Sequence, residues 1–243
     1  ADDTIHEFLV KYVRYSAIRT YLRTFVDGMQ KAISKDGMVH PQFMQCVTST
    51  GRLSSRSPNF QNMPRGATFP VRECITSRFK GGKILEGDYA QLEFRVAGFL
   101  ADDRQDEAFM SNKVKLPSGR QYFFPNVERL RSGSVTNSTA IKNYPVQGFA
   151  TADLLPIALI NLKKLLTERN LKTIICNTVH DSIVLDVYPD EEQQAITTLK
   201  EAMMSLSDEC EKRYGFKYTM PIGIELKLGD DWLNMKEVYK TNG

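Results

Sequence analysis

Asp88 and Asp181 are the acids whose surroundings best suit them to chemistry. Asp88 ends the run Lys83-Ile-Leu-Glu-Gly-Asp88 and opens a tight Asp88-Tyr89-Ala90 corner, which reads as a buried strand displaying a carboxylate at its end. Asp181 lies in Val179-His180-Asp181-Ser182, between the apolar stretches 173–178 and 183–187, so it reads as the tip of a hairpin. Taken singly, an aspartate at either kind of corner is more often a turn or capping residue than a ligand. As a pair on neighbouring strand ends, the two have the chemistry of a two-metal site, in which hard Mg²⁺ ions take carboxylate oxygens and clamp the attacking and leaving oxygens of a phosphoryl transfer.

A second set of residues has the character of a phosphate and base reader. Residues 37–72 contain Arg52, Arg56, Arg65 and Arg72 and no acid. Within them Ser49-Thr50-Gly51-Arg52-Leu53-Ser54-Ser55-Arg56-Ser57-Pro58-Asn59-Phe60-Gln61-Asn62-Met63-Pro64 is dense in hydroxyls, amides and guanidinium groups. Such a loop can follow a sugar-phosphate backbone and reach base edges, and it can equally be an irregular connection with self-satisfied turns. Gln147 precedes a glycine at a helix entry, where its amide either meets a ligand or caps the chain.

The elements that must position these groups follow from periodicity. Helical spacing covers 4–34, with Ile5, Phe8, Tyr12, Ile18, Leu22, Phe25 and Met29 on one face. Leu92, Val96 and Phe99/Leu100 recur as a helix face behind Asp88, and Ala101-Asp102-Asp103 reads as its end. Residues 116–120 read as a turn and 121–124 as a short strand, with Lys113, Lys115, Arg120, Arg129 and Arg131 as surface charge. The stretch from Tyr144 to Asp153 introduces a helix that runs to about Thr167, with Pro156 in its first turn, and one long helix is expected over 191–214, stopped by Gly215. Ile222, Ile224, Leu226 and Leu228 alternate as a half-buried edge or hairpin strand, and Gly229-Asp230-Asp231-Trp232 closes the fold. The expected class is α+β: an antiparallel sheet with helices packed on one face, plus an N-terminal helical segment.

A chain of 243 residues, 42% hydrophobic and 25% charged with net charge +3, has the makeup of an ordered globular protein, and the net charge alone does not announce a polyanionic partner. Cys46, Cys74, Cys176 and Cys210 form no C-x-x-C pair, which argues against a zinc site or a disulfide framework and for reduced, buried thiols. No apolar run approaches the roughly 20 residues of a membrane helix. These features point to an intracellular protein without membrane anchoring, cytoplasmic or in a host-cell cytoplasm if viral, with an organelle still open.

Thr50-Gly-Arg-Leu-Ser-Ser55 with Pro58-Asn-Phe-Gln-Asn-Met-Pro64, Asp88-Tyr-Ala-Gln-Leu-Glu-Phe-Arg95, Tyr144-Pro-Val-Gln-Gly148 and Val179-His-Asp181 occur in the order found in family A, polymerase-I-like DNA polymerases. The chain resembles the palm and thumb base of that family. The resemblance implies a thumb base over 1–38, a primer-template-contacting connection over 39–66, a first palm part over 67–104, a junction over 105–135 and a second palm part over 136–243. It implies Asp88 and Asp181 as catalytic metal-binding residues with the Tyr89 carbonyl as a further ligand, two Mg²⁺ ions (Mn²⁺ as a substitute), Gln91 and Glu93 at the nucleotide, and Arg52, Gln61, Asn62, Gln147 and His180 at the DNA. Glu93 matches the residue that blocks a ribose 2′-hydroxyl. Primer-template DNA and a deoxynucleoside triphosphate are the implied partners, and template-directed DNA synthesis the implied activity.

Two departures stand out. Ser182 occupies the position where the family usually has Glu, a variant also seen in single-subunit RNA polymerases, which keeps that activity as an alternative. Between Asp103 and Tyr144 the fingers segment, with its R-x-x-x-K helix, is missing, and no exonuclease region is apparent. The chain as written is therefore expected to be nearly inactive, since loss of one preorganised donor alone costs about 10²–10³ in rate. A non-catalytic nucleic-acid-binding subunit, completed by a second polypeptide that supplies fingers or exonuclease, is the other alternative.

Overall fold

The computed structural model describes residues 3–66, 68–100 and 104–243, so the helix end expected at 101–103 lies outside the described residues. The N-terminal apolar periodicity forms a continuous rod: α1 (Asp3–Tyr21), a π-helical turn (Leu22–Asp27) and α2 (Gly28–Ala32). Gly28 lies within the rod, as the first residue of α2. The stripe of Ile5, Phe8, Tyr12, Ile18 and Leu22 stays exposed, and the rod touches the rest of the protein near its far end, where Tyr21 stacks on Phe69 at 4.2 Å. The connection that follows is more regular than its sequence suggests, because β1 (Gln42–Met44) and β2 (Ser54–Arg56) pair as an antiparallel ribbon.

Strand β3 (Lys83–Tyr89) leads into α3 (Leu92–Phe99), with Leu92, Val96 and Leu100 buried as their spacing requires. After α4 (Arg104–Ser111), β4 (Lys113–Lys115) and β5 (Gln121–Phe123) form a small hairpin. The next helix begins earlier than expected: α5 (Ser138–Gly148) runs through Pro145 into a π-helical turn (Phe149–Leu154) and on into α6 (Leu155–Glu168). The extra residue per turn of a π segment accommodates the irregular ladder ahead of Pro156. Hairpin β6 (Ile174–Val179) and β7 (Ser182–Val187) follows as predicted. The long helix over 191–214 is two, α7 (Glu192–Met204) and α8 (Leu206–Tyr214), broken at Ser205. There the hydroxyl bonds back to the Ala202 carbonyl and accepts the Asn161 amide, a local alternative to the helical ladder. Gly215, at φ 73°, supplies the left-handed stop.

Of the two expected alternatives strand β8 (Ile224–Gly229) is a hairpin strand and not an edge, because β9 (Met235–Thr241) turns back and pairs beyond it. Residues 229–232 are thus the turn into a further strand, not the end of the fold. The five-stranded sheet is antiparallel throughout, in the order β6-β7-β3-β8-β9, and the class is α+β. One face is covered by helices: Leu85, Ile183, Leu185, Ile224 and Leu226 pack with Leu162, Leu199, Met203 and Leu206. Gly87 lets α7 approach this closely, since a Cβ there would lie 2.7 Å from Met203 Sδ. The other face carries a smaller core, in which Ile84 and Val184 meet Phe60, Met63, Val71, Val179 and Trp232. This clamps the 37–78 connection across the sheet face that also bears Glu86 and Asp88. The cysteines are free, but only Cys210 is fully buried, and Cys46 and Cys74 are exposed, contrary to expectation.

Candidate active site

Register brings the two aspartates together. In the β3–β7 pair Asp88 lies opposite Ser182, so Asp181, in the two-residue loop that closes β6 onto β7, stands beside the end of β3. His180 adopts φ 57°, the left-handed conformation that primed hairpin turns demand. A hydrogen bond from the Tyr89 amide to the Asp181 carbonyl (3.4 Å) ties the corner to the hairpin tip. The Tyr89 side chain points the other way, into the helix-covered core, where its hydroxyl donates to the Met203 carbonyl at 2.9 Å.

The electrostatics show how closely the acids approach. Burial, and then the Asp181 charge, push the Asp88 carboxyl up to about 6, against the pull of Arg65. Asp181 is also raised, by burial, with Arg65 and Arg52 among the groups opposing it. Asp88 Oδ1 is shut off from solvent and receives no hydrogen bond, while Arg65 Nη1 stands 4.0 Å from Oδ2. A crowded acid pair with an orphaned buried oxygen fits a divalent cation. Among the described residues no group of three or more His, Cys, Asp and Glu side chains is placed to hold a metal. The fit is therefore to an ion such as Mg²⁺, which takes one or two carboxylates and fills its remaining positions with water and phosphate oxygens.

The polar groups expected around this pair fall into two sets. Arg52, Gln61 and His180 line one small cleft with Leu53, Thr151, Leu155 and Thr178. Arg52 donates to Thr151 Oγ1 (3.1 Å) and forms an ion pair with Glu93, in the first turn of α3. Burial depresses the Arg52 guanidinium, and Asp181 opposes the shift. Gln61, ordered by the Asn59 cap, donates to the Thr178 carbonyl at 3.2 Å. His180 is depressed by burial and by the charges of Arg52 and Arg65. Gln147, half-buried in the last turn of α5, adjoins the cleft through its carbonyl, which accepts the Thr151 hydroxyl at 2.7 Å. Asn62 and Gln91 are exposed and outside the cleft, Gln91 at φ 54° as the cap of α3.

Arg65 is the neighbour that sequence reasoning passed over. It belongs to the acid-free basic stretch, and that was its only signal. Arg120 corrects the expectation of mere surface charge. Its Nε and Nη2 reach Asp153 Oδ1 at 2.9 and 2.7 Å, and Asp153 is buried and bonded by Ser118 as well.

A sequence model of DNA polymerase family A matches this chain in two pieces, residues 2–113 and 102–234. The chain belongs to DNA polymerase family A. It is 23% identical to DNA polymerase I of Mycobacterium tuberculosis over 94% of its length and 33% of the relative's. To DNA polymerase I of Lactococcus lactis subsp. cremoris it is 26% identical, covering 94% of this chain and 35% of that one. To the thermostable DNA polymerase I of Thermus aquaticus it is 24% identical, covering 96% and 37%. It thus spans about a third of the length of these curated relatives. Each alignment runs over 315 to 324 positions, more than the 243 residues here, and so passes over a segment of the relative that has no counterpart in this chain. The fold matches the polymerase domain of Pol1 from M. smegmatis, solved in complex with DNA primer-template and dNTP, at a TM-score of 0.74 and 19% identity over 89% of this chain and 52% of that one. No described helix is long and apolar enough to cross a membrane.

Proposed function

We propose that this chain is the palm and thumb base of a template-directed DNA polymerase, which adds deoxynucleotides to a primer 3′-hydroxyl with two Mg²⁺ ions, Mn²⁺ substituting. The observation that carries the reading is the meeting of Asp88 and Asp181 at adjoining strand ends. The chemistry that divalent cations supply in such a site is activation of the attacking hydroxyl and stabilisation of the leaving pyrophosphate. The chain's own part is positional. Asp88 and Asp181 would hold the ions, with the Tyr89 carbonyl at the same corner. Glu93, fixed by Arg52, blocks the space a ribose 2′-hydroxyl would need and so selects deoxynucleotides, with Gln91 beside it. Arg52, Gln61, His180 and Gln147 face the minor groove, whose acceptors are shared by every correct pair, and Asn62 follows the backbone.

Large apolar side chains remain exposed on elements flanking the break, Phe94 on α3, Met110 on α4 and Phe123 on β5. This favours a second reading, in which another polypeptide completes the site and this chain alone only binds nucleic acid. Both readings predict that fluorescence anisotropy detects primer-template binding that weakens steeply between 50 and 200 mM salt, roughly tenfold or more. Extension assays with Mg²⁺ and dNTP should find single-nucleotide addition at least about 10²-fold below that of a relative carrying the missing segment. Salt-independent binding, or none at low salt, would contradict the nucleic-acid assignment. Addition that rises only when a second polypeptide is present would select the second reading.

A further inference from the structure

The sheet face that bears Asp88 carries a further carboxylate outside the two-aspartate pair. Glu86 lies two residues before Asp88 on β3, so its side chain emerges on the same face, one strand step of roughly 7 Å back from the corner. Its Oε1 accepts the hydroxyl of Ser182 at 3.2 Å, and Ser182 is the fully buried residue directly opposite Asp88. Three further acids of this region are each held by a cation. Glu225, opposite Asp88 on β8, is bonded by Lys227 and Lys240; Glu93 is paired with Arg52; Asp186 is bonded by Arg78 and Ser77. Glu86 instead has a neutral donor that aims its carboxylate along the strand pair toward the hairpin tip.

We propose that Glu86 is a third carboxylate of the metal site, acting on the hydration shell of an ion held by Asp88 and Asp181, with Ser182 as its positioning residue. This rests on the metal reading above. Glu86 is not a direct ligand, since among the described residues no three acidic, His or Cys side chains are grouped to hold one ion. Mg²⁺ keeps several of its waters, and carboxylates that accept hydrogen bonds from bound water typically govern affinity by 10- to 100-fold. Ser182 on β7 and Glu86 on β3 then form a single device: the charge comes from one strand, and the short hydroxyl of the other orients it. The competing structural role for Glu86 is to offset the buried guanidinium of Arg72, whose charge it attracts.

Titration of the full chain with Mn²⁺, following loss of the free-ion electron paramagnetic resonance signal, separates these roles. Glu86→Gln is expected to raise the Mn²⁺ dissociation constant about 10-fold, and Ser182→Ala about 3-fold. The double variant Glu86→Ser/Ser182→Glu moves the carboxylate across the strand pair and should restore affinity to within about 3-fold of wild type. Urea unfolding without metal reports the structural role. Should Glu86→Gln fail to fold, the double variant decides alone. If wild type binds Mn²⁺ and Asp88→Asn abolishes it, yet the Glu86 variants bind within 2-fold of wild type, this inference fails and the two-aspartate site stands. Absence of Mn²⁺ binding by wild type would overturn both.

Discussion

Asp181→Ala is expected to raise the Mn²⁺ dissociation constant of the chain by at least about 100-fold, more than any change outside the direct ligands produces. The size follows from the geometry. With no third side-chain ligand grouped beside the pair among the described residues, one aspartate leaves an ion with a single protein carboxylate. Asp88→Asn should do the same to metal binding and the opposite to metal-free stability. At neutral pH Asp88 is ionised beside Asp181 in a site that pushes its carboxyl up to about 6, so the folded state binds its proton more tightly than the unfolded state does. The resulting penalty is present above pH 6 and is relieved as pH falls through that value toward the unfolded pKa of about 4. Neutral asparagine removes it, which should stabilise the metal-free protein at pH 7.5 by on the order of 1 kcal/mol, the full shift being reduced because the side chain is 36% exposed. Urea unfolding at pH 7.5, 5 and 4 should show this gain in full at the highest pH, about half of it at pH 5 and little at pH 4. A variant that loses stability at all three would contradict the placement of the two carboxyls.

Gly148→Ala should be among the most damaging single-methyl additions, at about 3 kcal/mol in urea unfolding. A Cβ at that position would collide with Tyr122 Oη and stand 2.7 Å from the Thr50 carbonyl, the two atoms that are hydrogen-bonded to each other at 2.9 Å. Backbone on one side and a buried ring on the other leave no flexible group to yield. The bond joins β5 to the loop bearing Arg52, so the variant should also weaken primer-template binding. Tyr122→Phe, which removes the bond without adding bulk, should cost only about 1 kcal/mol. Equal losses from the two changes would show that close packing at Gly148 is not what matters.

The parts legible in the sequence are those whose pattern is local. Leu92, Val96 and Leu100 behind an aspartate are a helix face behind a strand end, and two apolar runs around His180-Asp181 are a hairpin. The break at Ser205 was hidden because the apolar stripe of Leu199, Met203, Leu206 and Cys210 continues across it. Strand β9 was hidden because an exposed edge reads Met-Lys-Glu-Val-Tyr-Lys-Thr, with its charges facing solvent as sheet edges require. The start of α5 at Ser138 was hidden because Ser-Thr-Ala-Ile-Lys-Asn-Tyr-Pro carries no strong apolar periodicity, and its Pro145 lies inside the helix. At the site, motif order points to the aspartates and to Arg52, Gln61 and His180, and the fold places the aspartates at adjoining strand ends and the other three around one small cleft. Arg65 near Asp88 and Glu86 beside Ser182 depend on how separate segments register against one another, which no short window of sequence contains.

The central claim is that two distant acids share divalent cations at adjoining corners of one sheet. Its most direct test is a crystal of this chain with primer-template, soaked in Mn²⁺ and measured at the manganese absorption edge. Anomalous density between the Asp88 and Asp181 carboxylates is predicted, resolving into two peaks about 3.5–4 Å apart when a nucleotide is present. Carboxylates turned away from each other, with manganese absent or bound elsewhere, would contradict the account.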